Sequence, residues 1–329
     1  MSDAPTLDIL GIGNAIVDVQ ARAEDAFLSE RGLDKGAMRL VDAGDAEALY
    51  AAMGPGTESS GGSAANTCAV AAALGARVGY LGKVAADPLG QVFAHDIRAA
   101  GVHYPTPPLE NGAPTARCLI LVTPDGQRTM NTFLGASIAF APEDVDEALI
   151  ADAAVVYLEG YLFDPPQARE AFRRAAAAAR AAGRRVALSL SDPFCVDRHR
   201  AAFRDFVRDH VDVLFANEAE ACSLYEADEF EDAARHAAAE VDLAVLTRSE
   251  AGSVVLRGSE RVDVPAAPAR VVDTTGAGDA YAAGFLAALV AGRDPAACGR
   301  LGGLAAAEVI GHYGARPKAD LRRIAAAAD

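Results

Sequence analysis

Apolar and amphipathic runs alternate steadily along the chain from residue 142 onward. Short apolar stretches that predict strands end near residues 159, 191, 216 and 247, and longer runs with the apolar period of a helix separate them. The helices predicted in this part of the chain include 142–151, 197–209 and 317–327. Strands separated by helices predict a parallel sheet that carries helices on both of its faces. The pattern therefore predicts an α/β fold with three layers, helix–sheet–helix, around a central and mostly parallel sheet.

Two stretches of the chain do not follow this alternation. Residues 14–45 and 112–138 are strand-like and lie close to glycine turns, and the second contains alternating strands over 116–122 and 128–134 around the turn Pro124-Asp125-Gly126. We predict that both stretches form a small β-sheet that covers the active cleft as a lid domain. The large domain then consists of residues 1–13, 46–111 and 139–329, with a loop at Pro55–Ser60.

The composition is that of a folded globular protein. Of 329 residues, 51% are hydrophobic and 23% are charged, which suffices for one large α/β domain or two smaller ones. The formal net charge of −16 argues against a surface that binds nucleic acid. If the ligand is itself an anion, positive potential must be concentrated locally, at helix N-termini and at a few arginines.

Cysteine usage and the first residues bear on the cellular compartment. The five cysteines are isolated and the six histidines have no metal-binding spacing, as expected for free thiols in a reducing cytosol. Met1–Asp8 lacks the basic and apolar regions of a signal peptide, and no stretch is apolar enough for a membrane span. We therefore expect a cytoplasmic protein without a membrane or nucleic-acid partner, and a monomer, with a dimer as the alternative.

The most informative motif is Asp273–Ala280, with the sequence DTTGAGDA, directly before the apolar run Tyr281–Val290. A glycine-rich turn that opens a helix offers free N–H groups and the positive end of the helix dipole to an anion, most naturally a phosphate. Asp279 repels that phosphate, so we infer a chemical role: it accepts a proton from a substrate hydroxyl that attacks the phosphate. The alternative is that Asp279 only complements the helix dipole.

Polar residues also follow the predicted strands, at the edge where a parallel sheet forms its binding sites. They are Asn14, Asp18, Asn217, Glu220, Thr247 and Ser249. Asn217 and Glu220 lie three apart in a first helical turn, where the acid could hold a magnesium-bound water near phosphates. A plain capping box explains the same spacing, and the two interpretations are compatible.

Two further features suggest ligand contacts. The segment Gly61–Asn66, GGSAAN, places bare backbone and an amide at a helix start, where they could bind the hydroxyls of a polyol; an ordinary glycine-rich helix entry is the alternative. Arg128, on the predicted hairpin, could move onto a transferring phosphate or could simply be a surface charge. The chain contains no P-loop sequence and no protein-kinase signature, which argues against those classes.

Together these motifs resemble those of the ribokinase-like (PfkB) kinase superfamily. DTTGAGD at 273–279 is similar to its C-terminal motif, GGSAAN at 61–66 to its N-terminal motif, and NEAE at 217–220 to its Asn-x-x-Glu element. They occur in the family's order over nearly the whole chain. Within the superfamily, the stretches at 13–18, 114–118, 188–194 and 211–221 resemble adenosine kinases.

The resemblance implies a role for each matching residue. Asp279 would be the base for the 5′-hydroxyl, and Gly276, Ala277 and Gly278 the anion hole. The remaining roles are a ribose site at Asp18, Gly61, Gly62 and Asn66; a nucleoside pocket lined by Asn14, Cys118, Met130, Leu134 and Phe194; Mg²⁺ and phosphate contacts at Asn217 and Glu220; ATP contacts at Thr247, Ser249, Gly252 and Gly278; and a monovalent cation, K⁺, at Asp273 and Thr275.

These roles imply an ATP- and Mg²⁺-dependent kinase that phosphorylates the 5′-hydroxyl of adenosine and forms AMP. One departure concerns recognition of the nucleobase, because Met38 stands where eukaryotic adenosine kinases have a glutamine. A sugar kinase of the same superfamily, acting on ribose, fructose or a keto-deoxy sugar acid, is the alternative. A non-catalytic nucleoside-binding regulator is a third hypothesis, which an intact Asp279 disfavours. Aromatic and aliphatic side chains favour a nucleobase slot: Met130, Phe133, Leu134, Tyr161 and Phe194.

Overall fold

The computed structural model describes residues 5–327, which form fourteen strands and twelve α-helices. The first residues, 1–4, on which part of the signal-peptide expectation rests, lie outside this range. The strands are β1 Leu7–Ile12, β2 Ile16–Arg22, β3 Met38–Leu40, β4 Gly56–Gly61, β5 Val78–Leu81, β6 Val102–His103, β7 Ala116–Val122, β8 Arg128–Phe133, β9 Ala153–Glu159, β10 Arg185–Ser189, β11 Val213–Asn217, β12 Leu243–Thr247, β13 Ser253–Arg257 and β14 Glu260–Val264.

The α-helices cover most of the second half of the chain. They are α1 Asp25–Glu30, α2 Ala43–Ala52, α3 Ser63–Ala73, α4 Pro88–Ala99, α5 Glu147–Ala151, α6 Pro166–Ala181, α7 Pro193–His210, α8 Glu218–Tyr225, α9 Phe230–Glu240, α10 Ala277–Val290, α11 Pro295–Val309 and α12 Leu321–Ala327. Short 3₁₀ turns occur at Gly135–Ala139, Pro142–Asp144, Gly160–Phe163 and Ser249–Ala251. Within the described range, no helix is long and apolar enough to cross a membrane.

The larger sheet has nine strands in the order β14-β13-β12-β11-β10-β9-β1-β5-β6. Its strands pair in parallel from β6 to β12, whereas the pairs β12–β13 and β13–β14 are antiparallel. This confirms the predicted α/β fold with a mostly parallel central sheet. In such a sheet the carboxyl ends of the strands share one edge, where binding sites form.

Helices cover both faces of this sheet, because its central strands are apolar on both sides. Ile9 of β1 and Tyr157 of β9 lie in a buried cluster with α3, α10 and α11. Their sequence neighbours Leu10 and Leu158 lie in a second cluster with α6, α7, α8 and α9. Successive strand residues point to opposite faces, so this division confirms the three-layer arrangement.

The second sheet has five strands in the order β3-β8-β7-β2-β4, and it includes the hairpin predicted at 116–134. Val17 and Val19 of β2 face the buried cluster that contains Leu28 of α1 and Leu49 of α2. Alternate residues such as Asp18 therefore point away from these helices. One face of the small sheet is therefore not covered by α1 and α2.

One prediction on the small sheet is wrong. Residues 55–60 were expected to be a loop, but β4 pairs antiparallel with β2 over its whole length, with Gly61 opposite Ile16. The sequence of β4, GTESSG, has no apolar alternation because this strand lies at the edge of its sheet. It also falls within the stretch 46–111 that we assigned to the large domain, so the small sheet draws on more of the chain than the predicted lid.

Several helix boundaries also differ from the prediction. The helix expected over 142–151 is a 3₁₀ turn followed by α5, and the helix expected from 197 begins at Pro193 after the cap Asp192. The last helix, expected from 317, begins at Leu321. Proline at a first helical position explains the earlier start of α7.

Candidate active site

The predicted anion-binding turn opens α10 as expected. Gly276 is the N-cap residue and has a left-handed backbone, with φ of 77°. A β-carbon at this position would lie 2.6 Å from Cβ of Ala315, so both the conformation and the contact require glycine. The turn is thus shaped by its sequence and by the segment packed against it.

Two of the three predicted amides are available to an anion. The Ala277 amide donates to the carbonyl of Thr274 at 3.2 Å, whereas the amides of Gly276 and Gly278 donate to no acceptor among residues 5–327. A β-carbon on Gly278 would meet nothing within 4 Å, so open space adjoins this amide. Free amides at the N-terminus of a fourteen-residue helix suit a phosphate.

Asp279 occupies the first turn of α10 and is tied to the N-terminus of α3. Ser63 Oγ donates to its Oδ1 at 2.6 Å, and Asn66 Nδ2 donates to its Oδ2 at 3.2 Å. Burial raises the pKa of Asp279 to about 6, against the opposing effect of these two hydrogen bonds and of Arg316. Asp279 is therefore an oriented carboxylate that is mostly ionised at neutral pH and can still accept a proton.

A second carboxylate, Glu159, lies beneath this site and was not predicted. It is 1% exposed, and it accepts hydrogen bonds from Asn14 N (3.2 Å), Asn14 Nδ2 (2.8 Å) and Ala64 N (2.7 Å). Burial raises its pKa to about 7, with the Ala64 and Asn14 donors opposing the shift. Glu159 thus fixes both Asn14 and the start of α3. A lone acid at the end of the apolar strand AAVVYLE was the available sequence signal.

Asn14 and Asn66, both predicted to bind substrate, are buried but incompletely hydrogen-bonded. Their side-chain nitrogens donate to Glu159 and Asp279, while Asn14 Oδ1 and Asn66 Oδ1 have no partner among residues 5–327. A buried amide oxygen without a donor is costly. The two oxygens can therefore each accept a hydrogen bond from a donor such as a ligand hydroxyl group.

The glycine pair allows a close approach of two chain segments. A β-carbon on Gly62, whose φ is 94°, would lie 2.1 Å from the carbonyl oxygen of Asn14, and one on Gly61 would lie 2.5 Å from the carboxyl carbon of Asp18. Both glycines are thus required by packing. Burial raises the pKa of Asp18 to about 6, partly offset by the charges of Arg128 and Arg316.

The free face of the small sheet brings together several predicted pocket residues. Asp18 of β2 lies opposite Cys118 of β7, and Met130 of β8 lies opposite Met38 of β3. The register places all four on the face that points away from α1 and α2. Met38 is 50% exposed, so its side chain is open to a ligand or solvent.

Leu134 and Phe194 lie at the ends of separate elements. Leu134 follows β8, and Phe194 lies in the first turn of α7, beyond the carboxyl end of β10. Phe194 is 73% exposed, which is unusual for a phenylalanine in a well-packed domain. The exposed ring fits a role in covering a ligand, and its place in the nucleoside pocket stays a prediction.

Asn217 and Glu220 form the capping box that the sequence allowed. Asn217 N and Nδ2 donate to the Glu220 carboxylate at 2.9 and 2.7 Å, and Glu220 N donates back to Asn217 Oδ1 at 2.8 Å. Burial raises the pKa of Glu220 to about 7, with the Asn217 amide opposing the shift. Each Glu220 oxygen accepts one of these bonds and so retains an acceptor position for a further donor such as a water molecule.

These contacts fit Mg²⁺ that arrives with a nucleotide. Among residues 5–327, no group of three or more His, Cys, Asp or Glu side chains could hold a metal alone. Magnesium prefers one or two carboxylates, several waters and substrate phosphates, and Glu220 supplies one such carboxylate. Glu220 would hold the ion through water.

The residues predicted near ATP follow β11 and β12. Thr247 lies beside Asn217 in the parallel register, and Ser249 begins the 3₁₀ turn that follows. Gly252, with φ of 86°, turns the chain into β13, where a β-carbon would lie 2.1 Å from the carbonyl oxygen of Val264. Backbone geometry alone explains Gly252, so its contact with ATP stays a prediction.

The monovalent-cation site at Asp273 and Thr275 stays a prediction, and the structure shows what the Asp273 carboxylate contacts. Thr275 N (3.0 Å) and Oγ1 (2.7 Å) donate to Asp273 Oδ1, while Gly314 N (3.0 Å) and Arg128 Nη1 donate to Oδ2. Burial alone would raise the pKa of Asp273, but these donors lower it overall. Because four donors already occupy the acceptor positions of this carboxylate, K⁺ would have to displace a donor or take its ligands from other oxygens. Arg128, predicted to reach phosphate, is held here in a buried ion pair.

Arg316 is a further residue that the sequence analysis did not identify. Its guanidinium donates to the carbonyls of Ala65 (3.0 Å) and Ser60 (2.6 Å) and to Ser60 Oγ (2.9 Å). No local pattern marks it, since 256 residues separate it from Ser60. Only the folded chain brings Arg316 to the turn at Gly61 and Gly62, called the glycine turn below.

An oriented carboxylate beside free amides at a helix N-terminus is the arrangement expected of an enzyme that transfers a phosphoryl group to a hydroxyl. Comparison with protein families matches residues 45–321 to the pfkB family carbohydrate kinases. The chain belongs to this family. It is a phosphotransferase with an alcohol group as acceptor, and kinases of the family use ATP with Mg²⁺.

The relatives include kinases of different acceptors. The crystal structure of adenosine kinase from Sinorhizobium meliloti is 53% identical, with a TM-score of 0.90, covering 98% of this chain and 99% of that one. A probable sugar kinase from Rhizobium etli CFN 42 is 51% identical, with a TM-score of 0.91 and the same coverage. An ATP-dependent ribose-1-phosphate kinase from Halopiger xanaduensis is 32% identical over 80% of this chain and 85% of its own length. This chain is thus a nucleoside or sugar kinase.

Proposed function

We propose that this protein is an adenosine kinase, which transfers the γ-phosphate of ATP to the 5′-hydroxyl of adenosine and forms AMP and ADP. The observation that carries the proposal is that the site combines the Asp279 carboxylate with two amide oxygens that have no hydrogen-bond partner among residues 5–327, Asn14 Oδ1 and Asn66 Oδ1. A ribose offers hydroxyl donors to those oxygens and a primary hydroxyl to Asp279. The similarity to the Sinorhizobium meliloti adenosine kinase supports the same acceptor.

In the proposed reaction the 5′-hydroxyl gives its proton to Asp279 as its oxygen attacks the γ-phosphorus. The bond from the γ-phosphorus to the bridging oxygen breaks, and ADP leaves. The free amides of Gly276 and Gly278 and the dipole of α10 stabilise the charge on the transferring group. Bound Mg²⁺ would neutralise phosphate charge. Positioning dominates such reactions, so the ties from Ser63 and Asn66 to Asp279 matter as much as its basicity.

The small sheet is proposed to act as a lid. Its free face carries Asp18, Cys118 and Met130, which would contact the acceptor, and closure would exclude water as a competing acceptor. Arg128 would reach the phosphates only if its ion pair with Asp273 opened. Residues 14–45 and 112–138, together with β4, would then move as one body.

A sugar kinase is the second candidate, and Met38 is the observation that favours it. Met38 lies beside Met130 at the edge of the lid face and offers no hydrogen bond to a nucleobase. A nucleoside held at this end would depend on apolar contact alone. The proposed function therefore places less weight on recognition of adenine than on recognition of ribose.

The test is an acceptor screen with the purified protein, ATP and Mg²⁺, measured as acceptor-dependent release of ADP. Acceptors would be adenosine, inosine, guanosine, cytidine, ribose, ribose 1-phosphate, fructose and a keto-deoxy sugar acid. We expect the highest kcat/KM with adenosine. A higher value with any sugar would overturn the adenosine assignment, and no ADP release with any acceptor would contradict the proposed transfer.

A further inference from the structure

Arg316 brackets the glycine turn from both of its ends. Its hydrogen bonds reach Ser60, the penultimate residue of β4, and Ala65, in the first turn of α3. Gly61 and Gly62 lie between these two anchors. One planar guanidinium with several fixed donors can make all three bonds at once, which an ammonium group cannot do with the same geometry.

The bracketed segment carries the groups that orient the proposed base. Ser63, inside it, and Asn66, directly after it, donate to the two oxygens of Asp279, and Gly61 lies against Asp18. Any shift of this segment would move two hydrogen bonds to Asp279 together. Arg316 therefore acts on the proposed base through the backbone of α3 and β4.

The charge of Arg316 is not cancelled by its hydrogen-bond partners, which are two carbonyls and a hydroxyl. Its positive charge opposes the effect of burial on the pKa of both Asp18 and Asp279. Asp96 also faces it through Ser60, whose N and Oγ donate to Asp96 at 2.7 and 2.6 Å. Arg316 thus contributes charge and geometry at the same place.

The residues just before Arg316 are anchored to the anion-binding turn. Gly314 N donates to Asp273, and Ala315 packs so closely on Gly276 that a β-carbon there would collide with it. This places the guanidinium at a fixed position relative to α10. The segment 314–316 therefore joins the anion-binding turn to the glycine turn.

We propose that Arg316 is a positioning residue for phosphoryl transfer: it fixes the glycine turn and the start of α3 relative to the anion-binding turn, and its charge stabilises the carboxylates that face the acceptor. This rests on the proposed role of Asp279 as the base. Arg316 is the cation that faces Asp279, whose other neighbours are Ser63 and Asn66 of α3, Tyr157 and Glu159 of β9, Tyr161 after β9 and Asp18 of β2.

The test compares Arg316→Met and Arg316→Lys with the wild type over a range of pH, measuring kcat and KM for the best acceptor. In Arg316→Met we expect the acid limb of the pH profile of kcat to move to higher pH by about one unit, because loss of the nearby positive charge raises the pKa of Asp279. Its KM for the acceptor should also rise. In Arg316→Lys the limb should stay in place while KM rises, because the charge remains but the bracket is lost.

The matched control is Arg323→Met, since the side chain of Arg323 is 88% exposed, and this variant should match the wild type. A lower kcat for Arg316→Met at every pH, with an unmoved limb, would overturn the charge role. A wild-type KM in Arg316→Lys would overturn the bracketing role. If Arg316→Met does not fold, as judged by thermal unfolding and ADP binding, the Lys variant decides by the same KM criterion.

Failure of this inference can be distinguished from failure of the proposed function by Asp279→Asn. If that variant keeps wild-type turnover, the proposed base is wrong and the inference fails with it. If it loses turnover while Arg316→Met keeps the wild-type limb and KM, only the role of Arg316 is wrong. Each pair of results therefore supports or contradicts one specific statement.

Discussion

The two ends of the candidate site are built in opposite ways. At the phosphate end, Asp279, Glu159 and Asn66 are oriented by hydrogen bonds between α3, α10 and β9. At the other end, which is proposed to hold the nucleobase, the side chains of Met38 and Phe194 are 50% and 73% exposed. One end is fixed before any ligand binds, and the other end is open.

Under the proposed function, this difference separates the chemical step from the choice of acceptor. The chemical step would use buried groups that cannot change without loss of their partners, so it should be the same for every acceptor. Acceptor choice would depend on exposed side chains at the edge of the small sheet and the start of α7, where substitutions are tolerated. Substitutions at the phosphate end should therefore lower activity with all acceptors equally, and substitutions at the nucleobase end should lower activity with nucleosides alone.

The largest effect should come from Asp279→Asn. We expect turnover to fall by at least about two orders of magnitude with every acceptor, because the general base is lost. Binding of ATP, measured by calorimetry, should remain, since the amides of the turn are unchanged. Turnover close to the wild-type value would show that the phosphate end does not work through this carboxylate.

The next effect should be on stability, in Glu159→Gln. An amide nitrogen would then face the N–H group of Asn14 or Ala64, and we expect a loss of about 1–3 kcal/mol in the free energy of unfolding by urea. The exposed Glu250→Gln is the control. Because the folded-state pKa of about 7 exceeds the ordinary 4.5, wild-type stability should fall as pH rises between these values, and the slope should be shallower in the variant, where Asp18, Asp279 and Glu220 still contribute. Equal stability of variant and wild type would contradict the fixed state of this end.

A smaller and more selective effect is expected for Phe194→Ala. Loss of an aromatic contact of about 1.4 kcal/mol would raise KM for the nucleoside about tenfold with kcat unchanged. KM for a sugar acceptor should stay the same, as should both values in the exposed control Val271→Ala. An equal rise in KM for sugar and nucleoside would remove the distinction between the two ends.

The smallest effect is expected for Met38→Ala. Its half-exposed side chain contributes apolar contact without a hydrogen bond, so kcat/KM for adenosine should change by about twofold. The ratio of kcat/KM between adenosine and inosine is the appropriate measurement, because it cancels differences in active protein. A change of more than about tenfold in that ratio would show that recognition of the base depends on this position.

The sequence predicted those parts of the site whose chemistry is local. The turn at 276–279 and the capping box at 217–220 are each complete within eight residues, so spacing was enough. The strand β4 was missed because an edge strand of polar residues has no apolar alternation. Glu159 was overlooked because it is a single acid whose partners, Asn14 and Ala64, are distant in sequence.

The surroundings of Asp273, where the resemblance implied a monovalent-cation site with Thr275, illustrate the same limit. The local motif is intact, but Arg128 and Gly314 reach Asp273 from positions 145 and 41 residues away and saturate its oxygens. Long-range partners of this kind depend on the packed fold, and no pattern along one sequence reveals them. The contacts of a residue are therefore harder to predict from the sequence than its place in a local motif.

The separation of 256 residues between Ser60 and Arg316 has a consequence for synthesis. Every strand of both sheets is complete by Val264, and the anion-binding turn follows soon after. A ribosome-bound chain could therefore assemble its sheets before position 316 is translated, yet lack the guanidinium that clamps the glycine turn. Under the proposed role of Arg316, enzymatic competence would emerge late in translation, after the sheets have formed.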